Sequence, residues 1–474
     1  MTDPLHEAGL AADALELVAA AAPPYLAALP DRPVHDHAER ALLADLDGPL
    51  PESGRGTLES VAELVRIGTR AATHSSGPRF FHFVIGGSTP AAMAGDWATS
   101  LLDQAGGLWT ASPFATTTET VALRWLKELF GLPAEFGGVL TPSATFANLT
   151  GLACARHWWA RQHGVDVAAD GLAGLPAMPV FGSGYVHPSV RKALQILGCG
   201  RDTVRVHARD DAGRLDLPGL ERALAELDGP AVLVGCAGDV NTGDFDPIDE
   251  LADLAEKYGA WLHVDGAFGL FAALSPRTAH WVTGIERAQS VAADGHKWLN
   301  VPYESGFAFL RDPQALGDTF GAWGAPYLIS GAGEHIDYNC LGPESSRRAR
   351  ALPIWATLAA YGRSGYRAMV ERHLDAAARL GELVEAAPDF ELLAPVSLCV
   401  VCFRYRPAGV SADELDKLNV RLGQALLDDG RFYAGTTIYR GIRALRPAIV
   451  NWRTTTGDIE ELMSVLRELI GQLT

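Results

Sequence analysis

Cysteine is scarce in this chain. Six residues in 474, at Cys154, Cys199, Cys236, Cys340, Cys399 and Cys402, are too few and too scattered for a disulfide framework, and they fit a reducing compartment. Cys399 and Cys402 form a lone CxxC inside the apolar run "SLCVVCFRY". No second pair completes a zinc set, so a buried thiol pair is expected and no metal. Basic charge is also short: 39 Lys and Arg face 57 Asp and Glu, a formal net charge of -18. A surface of that sign repels phosphate backbones and argues against nucleic acid as a partner. No run of about 18 apolar residues is free of charge, so no membrane span is expected. The alanine-rich start lacks the basic residues of a signal peptide and carries Asp3, Glu7, Asp13 and Glu16. It reads as an amphipathic helix, with a cytoplasmic location as the expectation. Repeats and low-complexity linkers are missing as well.

What is present is a large apolar inventory, 48% of the residues, enough for two or three domains. Residues 1–88 are helical in pattern and broken by Pro23, Pro24, Pro30 and Pro51. Such an arm cannot bury its own apolar face and must lie on another domain or subunit. Residues 89–355 alternate apolar β-rich runs with helical ones, the pattern of an α/β domain with a mostly parallel sheet covered on both faces. Residues 356–474 place long helices around short strands, a smaller α+β domain.

In an open α/β sheet, ligands bind beyond the carboxyl ends of the strands. After "FGGVL" come Ser143, Ala144 and Thr145 at a helix start, either an ordinary cap or a phosphate cradle. After "MPVFGSGYV" comes His187, ahead of Pro188; it either caps the next helix or lays its ring on a planar ligand. After "AVLVGCAG" comes a glycine-bounded loop holding Asn241, a turn residue or a site residue. "AWLHV" ends at Asp265, a carboxylate that needs a partner if buried. "SVAAD" runs into Gly295, His296 and Lys297. One ligand satisfies the whole series. Pyridoxal phosphate has a phosphate for residues 143–145, a flat ring for His187, a ring nitrogen for Asp265 and an aldehyde for Lys297.

These residues resemble a known family. "HVDGAFG", "DGHKWLNVPYESG" and "TPSATFANLTGL" are similar to segments of the pyridoxal-phosphate-dependent group II amino-acid decarboxylases, and the likeness extends over residues 74–365. It implies an aspartate-aminotransferase-like, fold-type I architecture with a seven-stranded large-domain sheet, and a homodimer with shared active sites. It implies Lys297 as the internal Schiff base, with His296 before it. It also implies Asp265 on the pyridine nitrogen, Ala267 under the ring, His187 stacked on the other face, and Ser143, Ala144 and Thr145 around the phosphate. Asp294 departs from the family by standing near the phosphate where aromatic decarboxylases have asparagine. Pro142 and Phe146 depart around the cradle. Tyr327, in a glycine-rich segment, falls where the family has the tyrosine that protonates the substrate carbon.

The implied reaction is decarboxylation of an L-amino acid to an amine and carbon dioxide. Phe81, Phe83 and Trp109 are expected to line the side-chain pocket and favour an aromatic substrate. Glutamate-like or small substrates are the alternative, with Arg79, Arg440, Arg443 and Arg446 as candidate anchors. An aldehyde synthase is the rival reaction, and Tyr327 argues against it. The lysine motif fits decarboxylases better than transaminases. The joint presence of Lys297, Asp265 and His187 argues against a non-enzymatic cofactor-binding protein.

Overall fold

In the computed structural model the chain is described over residues 3–321 and 335–473. Its N-terminal part is helical. A 3-10 turn, Pro4–Leu10, runs into α1 (Ala11–Ala28), and a second, Glu39–Leu46, leads to α2 (Thr57–Ala71). α1 lies against α2, yet it buries no residue. By length and composition Pro4–Ala28 is apolar enough to cross a membrane, with a mean hydropathy of 1.2. The acids inside it hid this property from a search for charge-free runs.

The large sheet has seven strands in the order β1-β7-β6-β5-β4-β2-β3. They are β1 (Gly137–Thr141), β2 (Val180–Gly182), β3 (Val204–Val206), β4 (Val232–Cys236), β5 (Trp261–Asp265), β6 (Ser290–Asp294) and β7 (Gly306–Leu310). Among the described residues, only β7 runs against its neighbours, β1 and β6. β4, β5, β6 and β7 are buried at every position, which is why they read as unbroken apolar runs. The helices of this region are α3 (Pro90–Leu102), α4 (Pro113–Phe130), α5 (Ala144–Gln162), α6 (Val167–Asp170), α7 (Pro188–Ile196), α8 (Leu217–Ala225), α9 (Ile248–Tyr258) and α10 (Gln314–Phe320). Their starts are written in the sequence. Thr89, Ser112 and His187 each cap a helix whose first residue is proline, a position where the missing N–H costs nothing.

A second, antiparallel sheet has the order β10-β11-β9-β8. It comprises β8 (Phe390–Leu392), β9 (Phe403–Tyr405), β10 (Thr436–Tyr439) and β11 (Ile442–Leu445). α11 (Ala351–Glu385), α12 (Ala412–Asp429) and α13 (Thr456–Leu473) cover it. Its core includes Phe403, Phe432, Leu422, Leu466 and Phe81. The expected boundary at 355/356 falls inside α11, whose helical dihedrals break later, at Gly362 (φ 56°). β1, β2, β4, β5 and β6 all point the same way, so their carboxyl ends share one edge of the sheet. That edge gathers Ser143, His187, Asp265 and Lys297.

Candidate active site

Beyond Asp294, residues Gly295–Leu299 form a single π turn whose regularity fails at Lys297 itself (φ -85°, ψ -106°). Such turns concentrate at functional positions. Three distant segments clamp this one. Asn300, in the left-handed region (φ 57°), donates Nδ2 to Trp298 O and Val450 O, both at 2.9 Å, and accepts from Trp452 N at 2.9 Å. Gly86 N donates to His296 O at 3.1 Å and Thr89 N to Asn300 O at 2.9 Å. A Cβ on Gly86 would overlap the Lys297 carbonyl oxygen, so only glycine allows that approach. Trp298 Nε1 donates to His373 Nδ1 on α11 at 2.9 Å, and His373 Nε2 in turn reaches Asn451 O at 2.9 Å.

Lys297 Nζ lies 3.1 Å from Asp294 Oδ2, and His296 Nε2 lies 3.6 Å from the same oxygen. The other Asp294 oxygen accepts from Ala144 N, the first amide of α5, at 2.5 Å. The acid that departs from the family pattern therefore occupies a helix start, where the dipole and free amides favour an anion. Ser143 makes no side-chain cap bond there, so its hydroxyl stays available beside the helix start. Asp294→Asn keeps an acceptor for Ala144 N but removes a negative charge beside a phosphate cradle. It is expected to tighten cofactor binding by about tenfold at low salt, with the gain shrinking as salt rises. Fluorescence titration with pyridoxal phosphate checks this. Weaker binding by the variant would assign the carboxylate to orienting Lys297 instead.

Asp265, at the end of β5, is buried. Its Oδ1 accepts from Ala267 N at 3.1 Å and its Oδ2 from Asn148 Nδ2 at 3.0 Å. Ala267 is partly exposed within an otherwise buried run, as a residue on the floor of a cleft would be. His187 caps α7: its Nδ1 accepts from Ser189 N at 3.2 Å and meets Ser189 Oγ at 2.8 Å. The cap leaves Nε2 free, and Asp265, Lys297, Asp294 and Arg446 are the charged groups around the ring. Capping and site roles thus coexist. Burial pushes the His187 imidazole below its ordinary value, which keeps it neutral near pH 7.

Other sequence candidates lie elsewhere. Phe81, expected in the substrate pocket, is fully buried in the small domain's core and stacks on Phe432 at 5.9 Å. Its backbone joins Tyr433 and Ala448, which fixes the ring on the inner side. Phe83 is exposed and packs on His82 at 3.5 Å. Trp109 stacks on His335 at 3.6 Å, and its backbone N–H donates to Asp337 Oδ1 at 2.9 Å. Asn241 accepts from Thr437 Oγ1 on β10 at 2.6 Å, a bond between the loop after β4 and the small sheet. Arg79 is spent on Asp458 and Glu461. Arg446 is buried, donates to Val240 O at 2.7 Å and lies within electrostatic range of His187. Tyr327 lies outside the described residues.

Sequence reasoning missed Asn148, His263 and His373. His263 carries a signal in hindsight, since it stands two residues before Asp265 and strand side chains alternate. Burial holds His263 down to about 4 and His373 to about 3. Both are depressed below the ordinary 6.5, so the unfolded chain binds protons that the folded one refuses. Stability is present above pH 6.5 and is lost as pH falls through the folded values, by about 3 kcal/mol for His263 and about 5 kcal/mol for His373 when each shift is fully expressed. Urea midpoints between pH 7 and 4.5 should fall for the wild type and fall less for His373→Gln.

The donor set fits pyridoxal phosphate. A helix start with spare hydroxyls at Ser143 and Thr145 suits the phosphate. A fixed, buried carboxylate suits the ring nitrogen, and a primary amine on an irregular turn suits the aldehyde. The comparisons agree. The pyridoxal-dependent decarboxylase conserved domain matches residues 48–406. An aromatic-L-amino-acid decarboxylase of Bacillus atrophaeus is 28% identical over 455 residues, covering 94% of this chain and 92% of that protein. Tryptophan decarboxylase 1 of Oryza sativa subsp. japonica is 30% identical over 80% of this chain and 77% of its own length. A phenylacetaldehyde synthase of a Rosa hybrid cultivar is 28% identical over 84% of this chain and 81% of its own length. The crystal structure of Oryza sativa TDC with PLP and tryptamine superposes with a TM-score of 0.90 at 26% identity, over 100% of both chains. The chain belongs to the pyridoxal-dependent decarboxylase family, an amino-acid carboxy-lyase of fold-type I with pyridoxal phosphate as its cofactor.

Proposed function

We propose that this enzyme decarboxylates aromatic L-amino acids to their amines, with Lys297, Asp265, His187 and Tyr327 as its catalytic residues. The observation that carries the reading is the shared sheet edge, which brings an amine, a fixed carboxylate and a neutral imidazole together. The aromatic and tryptophan decarboxylases among its relatives support the substrate class. So does Arg79, whose engagement with two carboxylates removes it as an anchor for an acidic side chain.

Bound pyridoxal phosphate supplies the electron sink for the pair released when the carboxylate leaves. Lys297 Nζ is the amine that would hold the cofactor through its aldehyde carbon. Asp265 keeps a proton on the ring nitrogen. His187, neutral near pH 7, would support the ring. Ser143 and Thr145 would hold the phosphate beside Ala144, whose N–H is taken by Asp294, Ala267 would support the ring, and Asn241 braces the loop at its side. His296, with Nδ1 donating to Ser305 O at 2.9 Å, stiffens the turn that presents the lysine. Tyr327 delivers the proton to the substrate's α-carbon. Phe83 and Trp109 are proposed to line the substrate's side-chain pocket. A homodimer is supported by the unburied α1 and by exposed Trp97, Leu101 and Phe114, and light scattering should read twice 50.4 kDa.

The relative that is an aldehyde synthase favours one rival, in which oxygen reaches the α-carbon before a proton does. One experiment separates the two. Purified, cofactor-loaded protein is given the common L-amino acids and dihydroxyphenylalanine, and carbon dioxide, peroxide and ammonia are read together. Carbon dioxide without peroxide supports decarboxylation. Peroxide and ammonia in step with carbon dioxide support the synthase. No carbon dioxide from any aromatic substrate sinks the proposal.

A further inference from the structure

Asp265 is the end of a hydrogen-bond chain that runs out of the core. Trp261 Nε1 donates to Ser290 Oγ at 2.9 Å, and Ser290 Oγ lies 2.8 Å from His263 Nδ1. His263 Nε2 lies 2.9 Å from Asn148 Oδ1, and Asn148 Nδ2 lies 3.0 Å from Asp265 Oδ2. Every member is buried, at 5% exposure or less. Its packing is close: a Cβ on Gly151 of α5 would come within 2.8 Å of His263 Nδ1 and 3.1 Å of Ser290 Cβ, so glycine lets the helix reach the strands.

Chemistry fixes the direction of each bond. An indole N–H only donates and a carboxylate only accepts. Asn148 therefore turns its NH2 to Asp265, where it also reaches Ser189 Oγ at 3.2 Å, and turns its carbonyl to His263. Burial keeps His263 neutral at working pH, so its one N–H must be on Nε2 to serve that carbonyl. Nδ1 is then the acceptor for the Ser290 hydroxyl, whose oxygen takes the Trp261 N–H. All four donors point toward Asp265.

We propose that Ser290, His263 and Asn148 are positioning residues that hold Asp265 as an acceptor-only carboxylate and so keep the proton on the cofactor's ring nitrogen. The proposal rests on the cofactor assignment and goes beyond it to residues that touch neither cofactor nor substrate. A proton on Asp265 Oδ2 would face the Asn148 N–H, and one on Oδ1 would crowd the Ala267 N–H. Turning the Asn148 amide would set its NH2 against the His263 N–H. Each reversal leaves a buried polar group mismatched, which a low-dielectric interior penalises. Other titratable groups near Asp265 are His187 before α7 and the Cys236 thiol on β4, which burial keeps protonated, and Lys297 on the π turn lies within electrostatic range of both.

The test uses holoenzyme loaded with pyridoxal phosphate carrying 15N in its ring. The 15N shift and the chromophore's pH titration report the ring proton directly. Asn148→Leu and Ser290→Ala should still hold the cofactor, yet lose the ring proton at a pH lower by about one unit or more. His263→Phe should do the same, and His263→Gln, which retains an N–H for Asn148, should recover part of the shift. If His263→Phe does not fold, the other two variants decide. Wild-type 15N shifts and titrations in cofactor-loaded Asn148→Leu and Ser290→Ala would overturn the proposal. A wild-type protein that takes up no cofactor would instead overturn the assignment beneath it.

Discussion

Lys297→Ala is expected to lose decarboxylation by about 10³- to 10⁴-fold or more, because the group that forms and exchanges the covalent bond is gone. Folding should survive. The clamp on the π turn uses backbone atoms of residue 297 and side chains of Asn300, Trp298 and His373, none of which the substitution removes. The attachment site can be mapped cleanly, since the chain has five lysines: Lys127, Lys192, Lys257, Lys297 and Lys417. Lys127 is tied to Ala134 O and Phe136 O, and Lys257 is paired with Glu221. Borohydride reduction followed by peptide mass spectrometry should place the cofactor on Lys297 alone. A Lys297→Ala protein with wild-type turnover and a reducible yellow band would end the assignment.

Asp265→Ala carries the second-largest effect, a fall in kcat of about 10²- to 10³-fold. The loss has two parts. The ring nitrogen no longer has a counter-charge, and Asn148 Nδ2 is left with only Ser189 Oγ among the partners described above. KM should change less than kcat, because the carboxylate acts on the electrons that move and not on the substrate's side chain. Stopped-flow absorbance with saturating substrate separates the two constants. A kcat within about threefold of wild type would remove Asp265 from the mechanism.

Much of this was legible in the sequence, for identifiable reasons. Strands buried on both faces lose their alternation, and "AVLVGC" and "AWLHVD" announced a parallel sheet by that loss. Residues at strand ends followed from the sheet's single direction, so Lys297, Asp265, His187 and Ser143 could be gathered without coordinates. The partnerships that cross the chain could not. Asn148 and His263 meet across 115 residues, and no local pattern encodes that contact. Phe81 was misplaced because the chain leaves the extended region just after it: Phe83 and Val84 both take a left-handed φ, 56° and 61°, so residues two apart no longer share a face. It faces the small domain's core, and the exposed ring belongs to Phe83. Asp294 looked like an intrusion near the phosphate until the structure gave it Ala144 N as a partner. The division at 355/356 falls inside α11, whose apolar pattern runs on past it to Glu385.

The clamp around Lys297 also has a consequence for synthesis. A ribosome that has just released Leu310 has made every residue proposed to touch the cofactor within the large sheet. It has not yet made His373, Val450, Asn451 or Trp452, which hold the turn through Trp298 and Asn300. Domains of a growing chain tend to fold as they emerge, so a nascent large domain would carry its lysine on an unbraced turn. The cofactor would meet a finished site only once Trp452 is out, and a protein truncated before Val450 should fail to retain it.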